Sequence, residues 1–233
     1  MSDVPSAAIV LLAAGSGERV GADRNKVLLP LHGVPVLAHS VRTALRVDGA
    51  HRVVVVVRAE DRAAVTEAIR PHLGTHDVWL VDGGEQRHDS EYSALRALRR
   101  DIEAAEIAVV AIHDAARPLA TEGLFRAVVD LAATRGAAVP ALPAGRLNDR
   151  DGSLAAENLL VVQTPQAFDA RALLAAYDAA EADRFVGTDT ASCLERYADL
   201  AIHAVTGERR NLKITFADDL LLAGELISAG SAS

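Results

Sequence analysis

Arg19 and Lys26 stand just beyond a glycine-bearing loop, Ala13-Ala14-Gly15-Ser16-Gly17, which follows the apolar run Ala7-Ala8-Ile9-Val10-Leu11. Glycines at 15 and 17 open backbone conformations closed to other residues, so amide N–H groups can approach phosphate oxygens. The two cations place fixed positive charge where substrate charge would build up. This pattern predicts a grip on a polyphosphate. It is not a Walker loop, because no Gly-Lys-Ser/Thr ending follows, and Val20 stands where a dinucleotide fingerprint needs a third glycine. The plain alternative is a strand-to-loop turn with two incidental basic residues.

Further loops carry candidate chemistry. Gly83 and Gly84 open a segment running to Ser90, where a flat base or ribose can lie against backbone. Ser90 either contacts that base or simply caps the next helix. In His113-Asp114-Ala115-Ala116-Arg117-Pro118, Asp114 suits sugar or polyol hydroxyls, or a Mg²⁺ that bridges phosphates. The competing role for Asp114 is a salt bridge to Arg117. His113 reads as structural, since no second histidine or cysteine stands at metal-site spacing. Lys213 sits between Leu212 and Ile214 in an expected short strand, where a buried ammonium calls for an anionic partner such as a ligand. Its stem could equally carry the charge out to water. Thr188-Asp189 reads as a helix N-cap and Cys193 as a small buried apolar residue.

The elements needed to position these loops are legible in the pattern. Apolar strands are expected at 8–12, 52–57, 78–81, 107–112 and 138–142, with helices at 36–45, 61–73, 90–101 and 122–135 between them. Continuous apolar strands alternating with helices predict a mostly parallel twisted sheet covered on both faces. Ligands of such sheets lie beyond the carboxyl ends of the strands. The loops after Leu12, Val81 and Ile112 all meet that condition. Later elements are expected at 159–163, near 170–182, near 189–197, at 201–205, at 212–215, and from 218 onward. The polar stretch at about 143–158, with an Asp151-Gly152 turn, reads as a short projecting β-arm of one single domain spanning 1–233.

Composition narrows the class. Of 233 residues half are hydrophobic but only 3% aromatic, which suits a sheet core under alanine-rich helices. The net charge of −8 disfavours a nucleic-acid or membrane surface. A single cysteine leaves no internal disulfide, so a reducing, cytoplasmic setting is expected. The start, MSDVPSAAIVLL, has no basic leader, and no apolar run reaches membrane-spanning length.

The strings LAAGSGER and KVLLPL, the GG-x-x-R-x-x-S loop, HDAARP, QTPQAF, TDTAS and NLKIT occur in this order along nearly the whole chain. Together they resemble the 2-C-methyl-D-erythritol 4-phosphate cytidylyltransferases and the related ribitol 5-phosphate enzymes. The resemblance implies a Rossmann-like nucleotidyltransferase fold and a homodimer joined through the arm. The implied reaction is attack of a polyol phosphate on the α-phosphorus of CTP, with Mg²⁺ and release of pyrophosphate. It further implies that Arg19 and Lys26 stabilise the transition state and leaving pyrophosphate, and that Lys213 serves the phosphates. The backbone from Ala13 to Gly17, with Gly83, Gly84 and Ser90, would surround the nucleotide, and Asp114 and Arg117 would face the acceptor.

The arm departs from the family pattern. It has no Asp-Thr pair, and the stretch shortly before Gln163, Ala155 to Leu160, holds no arginine; Arg146 and Arg150 are candidates to replace the lost charge or else are solvated arm residues. Three rivals therefore stand beside the leading reading. One is cytidylyl transfer to another polyol or sugar phosphate, and one is a molybdopterin-type nucleotidyltransferase, against which HDAARP and QTPQAF weigh. The third is a catalytically idle nucleotide-binding homologue.

Overall fold

Every side chain of the first strand, Ala7–Leu12 (β1), is shielded from water save a partly covered Leu12, and the alternation of its residues explains the layers. The computed structural model describes residues 4–15, 25–145, 159–187 and 190–230. A small hairpin, Pro30–Leu31 (β2) and Val34–Pro35 (β3), leads into helix Val36–Ala44 (α1). Then come Ala50–Val57 (β4), Arg62–Ile69 (α2), Trp79–Asp82 (β5) and Arg87–Glu103 (α3). Val109–Asp114 (β6), Glu122–Arg135 (α4) and Ala137–Pro143 (β7) follow. The remaining elements are Leu160–Val162 (β8), Gln166–Asp169 (β9), Ala170–Asp183 (α5), Thr190–Tyr197 (α6), His203–Thr206 (β10) and Ala217–Gly230 (α7).

The main sheet has the order β10-β7-β9-β6-β1-β4-β5, with β8 on β7. β1 runs parallel to β4 and β6, β4 to β5, and β7 to β10. Along β1, Ala8 and Val10 pack with Val54, Leu95, Phe168 and Tyr177 under α3 and α5. Ile9 and Leu11 point the other way, to Val55, Leu37, Val65 and Phe125 under α1, α2 and α4. This period of two with helices on both faces makes each central strand apolar throughout.

Three local features differ from the sequence expectation. β9, missing from it, runs antiparallel to both β6 and β7. β8 and β9 pair with the same strand β7 as one returning strand, interrupted at Gln163-Thr164-Pro165, where proline has no amide hydrogen for a ladder. A hairpin return must be antiparallel, which explains the local break in a parallel sheet. Secondly, 212–215 forms no strand: Ile214 donates a single N–H to Ala116 O at 2.8 Å and buries its side chain with Leu31, Val36 and Ala223. Thirdly, the helix expected from Ser90 begins at Arg87, where Asp89 Oδ2 accepts the Gln86 N–H at 3.0 Å. Ser90 is therefore not its N-cap. Of the arm, only its base at Pro143–Gly145 and the strand β8 fall within the described residues.

Candidate active site

In the β1 register, Leu12 stands beside Val56 on one side and Asp114 on the other, so three parallel strands end at one level. A cleft of about 960 Å³ opens there, beyond the carboxyl ends of the strands. Ala14, Gly15, Lys26, Gly83, Gly84, Ser90, Asp114 and Lys213 all line it. Loops distant in sequence thus form one wall because each follows a strand of the same sheet or leans on one that does.

Lys26 is placed by its neighbour. Buried Asn25 donates through Nδ2 to Ala13 O and to Asp61 Oδ2, both at 2.9 Å, and so ties the Lys26–Leu28 turn to the end of β1. Gly15 does not use a left-handed backbone, contrary to the sequence argument; a Cβ there would meet nothing within 4 Å among the described residues. At Gly83 the requirement is close packing, since a Cβ would come 2.7 Å from Ser90 Oγ and 2.9 Å from the Ala14 Cβ. Ser90 Oγ accepts the Gly84 N–H at 3.2 Å, holding the glycine pair against α3. On the facing side Arg58 donates to Ala14 O at 3.2 Å.

The deepest feature is a buried carboxylate ringed by cations. Lys213 Nζ lies 2.8 Å from Asp114 Oδ2, Arg117 Nε lies 3.7 Å from the same oxygen, and Arg87 Nη1 bonds Asp114 Oδ1. Burial alone would raise the Asp114 pKa, but the charges of Arg87 and Lys213 hold it well below the usual carboxylate range. Thr164 fixes the strand end: its Oγ1 accepts the Asp114 N–H at 3.0 Å and contacts His113 Nδ1 at 3.1 Å. His113 Nε2 lies 3.1 Å from Arg117 O, a carbonyl that can only accept, so the proton is assigned to Nε2 and Nδ1 accepts from Thr164. Burial pushes the His113 pKa down to about 4, and the ring packs against Phe125. It is a neutral structural residue.

Asp114 does not fit a metal ligand. Three cationic side chains already share its two oxygens, and a divalent ion would meet their combined repulsion. Among the described residues, the one cluster with metal-ligand composition is His51, Asp101 and Glu106, remote from the cleft near the start of β4.

Two expected residues lie behind the cleft wall. The Ala13 N–H is committed to Val56 O at 2.8 Å, and Arg117 is held by Asn211 O at 2.8 Å as well as by Asp114. Ser16, Gly17, Arg19, Arg146, Arg150, Thr188 and Asp189 lie outside the described residues. Sequence reasoning missed Arg58 and Arg87, both on the cleft. For Arg87 a signal existed, its fixed place after Gly83-Gly84 and three residues before Ser90; Arg58 carried none.

Comparisons with known proteins identify the family and the fold. The sequence pattern of the IspD family, 2-C-methyl-D-erythritol 4-phosphate cytidylyltransferase, matches residues 7–229. A protein of that name from Shouchella clausii is 35% identical over 226 residues, covering 94% of this chain and 96% of the relative. Another from Solibacter usitatus is 37% identical over 93% of both chains. Among solved structures, the 4-diphosphocytidyl-2C-methyl-D-erythritol synthase of Anaerococcus prevotii superposes with a TM-score of 0.81 at 26% identity, covering 97% of each chain. The 2-C-methyl-D-erythritol 4-phosphate cytidylyltransferase of Thermus thermophilus gives 0.72 at 26% identity, covering 96% of this chain and 99% of its own. With its Rossmann-like sheet, its cleft at the strand ends and this agreement along almost its full length, the chain belongs to the 2-C-methyl-D-erythritol 4-phosphate cytidylyltransferase family.

Proposed function

We propose that the protein transfers a cytidylyl group from CTP to 2-C-methyl-D-erythritol 4-phosphate, releasing pyrophosphate, as a step in non-mevalonate isoprenoid synthesis. The observation that carries this reading is the convergence of Lys26, the Gly83-Gly84-Ser90 wall and the Asp114–Lys213 pair on one cleft in a chain of this family.

The acceptor phosphate is already anionic near neutral pH, so attack on the α-phosphorus needs no activated protein nucleophile. Catalysis then rests on in-line positioning and charge neutralisation. In this reading Lys26 and Arg19 balance the charge that grows on the α-phosphate and leaving pyrophosphate. Gly83, Gly84 and Ser90 seat the base beside Ala14, and the backbone of Gly15 to Gly17 follows the phosphates. Ala13 and Arg117 act from behind, as supports for the loop and for Asp114. Asp114 takes acceptor hydroxyls, while Lys213 offers its remaining donors to phosphate. Mg²⁺ belongs to the proposal as a companion of the triphosphate, the form in which it commonly reaches a site without a dedicated carboxylate cage.

A homodimer is the proposed assembly. Leu160, Val161 and Val162 of β8, at the base of the arm, are each about half exposed, which supports burial against a second copy. A reducing, cytoplasmic setting is proposed from the single, buried Cys193. No helix among the described residues is long and apolar enough to cross a membrane. A second reading, transfer to another polyol phosphate, is favoured by the arm sequence alone. Incubation with CTP, Mg²⁺ and methylerythritol phosphate, followed by phosphorus NMR, tests the main reading: a cytidine diphosphate diester must appear with pyrophosphate. CTP left intact would reject it.

A further inference from the structure

Glu91 lies on α3 one turn beyond Arg87 and is 1% exposed, on the helix whose Ala94, Leu95 and Leu98 belong to the core. A carboxylate there is costly unless it is paired and hydrogen-bonded. It is both. Arg87 Nε makes a close ion pair with Oε1 at 2.8 Å, Thr190 Oγ1 donates to the same oxygen at 2.8 Å, and the Tyr177 hydroxyl donates to Oε2. The other end of the Arg87 guanidinium is the one that holds Asp114 in the cleft.

Packing does not require this charge, since an apolar side chain of similar volume would fill the same space without desolvating an ion. What the carboxylate adds is a fixed counter-charge behind Arg87. Glu91 Oε1 fixes the guanidinium charge from behind by an ion pair at Nε that carries no hydrogen bond, while Nη1 on the far side meets Asp114 Oδ1, leaving Oδ2 to Lys213. Glu91 also joins this chain to α6 through Thr190, and His88, one turn earlier, accepts the Gly187 N–H at 3.4 Å. Gly187 and Thr190 are therefore both fastened to α3, the helix against which Ser90 holds the glycine pair.

We propose that Glu91 is a positioning residue for the acceptor side of the reaction: it never touches substrate, but it sets Arg87, and through Arg87 the orientation of Asp114. This inference rests on the acceptor role proposed above for Asp114. Two measurements separate the two ideas. Glu91→Gln keeps the volume and can still accept from one of Tyr177 and Thr190 through its amide oxygen while its NH2 donates to the other hydroxyl, yet it removes the counter-charge of Arg87. With CTP saturating, its KM for methylerythritol phosphate should rise about tenfold, while the KM for CTP stays within twofold. Where Glu91→Gln does not fold, Tyr177→Phe, which keeps the ring and removes one donor to Glu91, should show the same split at about threefold. Equal changes in both constants, or none, would overturn the proposal. The second measurement needs no turnover. Urea midpoints of Glu91→Gln, Asp114→Asn and the double variant should be non-additive, and the coupling should vanish in an Arg87→Met background. Additive midpoints would overturn the inference even if the wild type proved fully active, whereas an inactive wild type with coupled midpoints would fault only the reaction assigned above.

Discussion

Lys213 and Asp114, far apart in sequence, form an ion pair of 2.8 Å that closes the floor of the cleft, joining the end of β6 to the extended segment before α7. The lysine had an internal anion as its partner, and the aspartate answers to two arginines as well. Asp114→Asn leaves three cations without their shared counter-charge. It should cost roughly 3–5 kcal/mol, the scale for removing one partner of a buried pair. Urea denaturation at neutral pH measures it. Because the folded pKa of Asp114 is depressed, its stabilising contribution is present above the usual carboxylate value of 3.8 and is lost as pH falls below it. The penalty of the variant should therefore shrink in that acid range; a constant penalty would contradict the pairing.

His113 predicts a second pH effect. Its folded pKa, about 4, lies below the ordinary 6.5, so between these values the unfolded chain binds a proton that the folded chain refuses. Stability should fall on acidification through that window, by on the order of 3 kcal/mol from this residue. His39 and His88, also lowered by burial, add in the same direction. Thermal melts from pH 7.5 to 5 should show a shallower slope for His113→Gln than for the wild type.

Lys26 is aimed into the cleft by Asn25, so Lys26→Ala should spare the fold and reduce turnover by about 10²–10³, the scale of one lost transition-state contact. Circular dichroism with steady-state kinetics separates the effects. Arg19→Ala should behave alike. A folded Lys26→Ala enzyme with near-normal kcat would remove the loop from the mechanism.

Gly83→Ala tests the nucleotide wall. Its Cβ must displace Ser90 or Ala14, so CTP binding should weaken roughly tenfold, about 1.4 kcal/mol. Gly15→Ala, whose Cβ would meet nothing within 4 Å among the described residues, should disturb the free protein far less. Calorimetry with CTP and GTP should also favour CTP; a preference for GTP would point to a different nucleotidyltransferase.

The central parallel strands were legible because burial on both faces demands continuous apolar runs, and their helices because a 3.6-residue period recurs between them. β9 was not, since four residues beginning with glutamine show neither signal, and only their pairing with β6 and β7 makes them a strand. The apolar pair around Lys213 imitated a strand while serving one buried contact at Ile214. Gly83, Gly84, Ser90, Lys26 and Asp114, which line the cleft, were legible because each stands at or beyond a strand end and carries a distinctive side chain or lacks one. Arg87 was overlooked because Asp114, its partner in the cleft, comes beside it only when β6 and α3 are packed together; Glu91, its i,i+4 neighbour on α3, signals a surface pair as readily as a buried one.

Acceptor selection tests the account most directly. Pyrophosphate release should be followed with saturating CTP and Mg²⁺ over concentration series of 2-C-methyl-D-erythritol 4-phosphate and ribitol 5-phosphate. The proposed function predicts a kcat/KM for methylerythritol phosphate at least tenfold above that for ribitol phosphate, with that advantage reduced in Asp114→Asn. Equal or greater kcat/KM for ribitol phosphate, or no release with either acceptor, would contradict it.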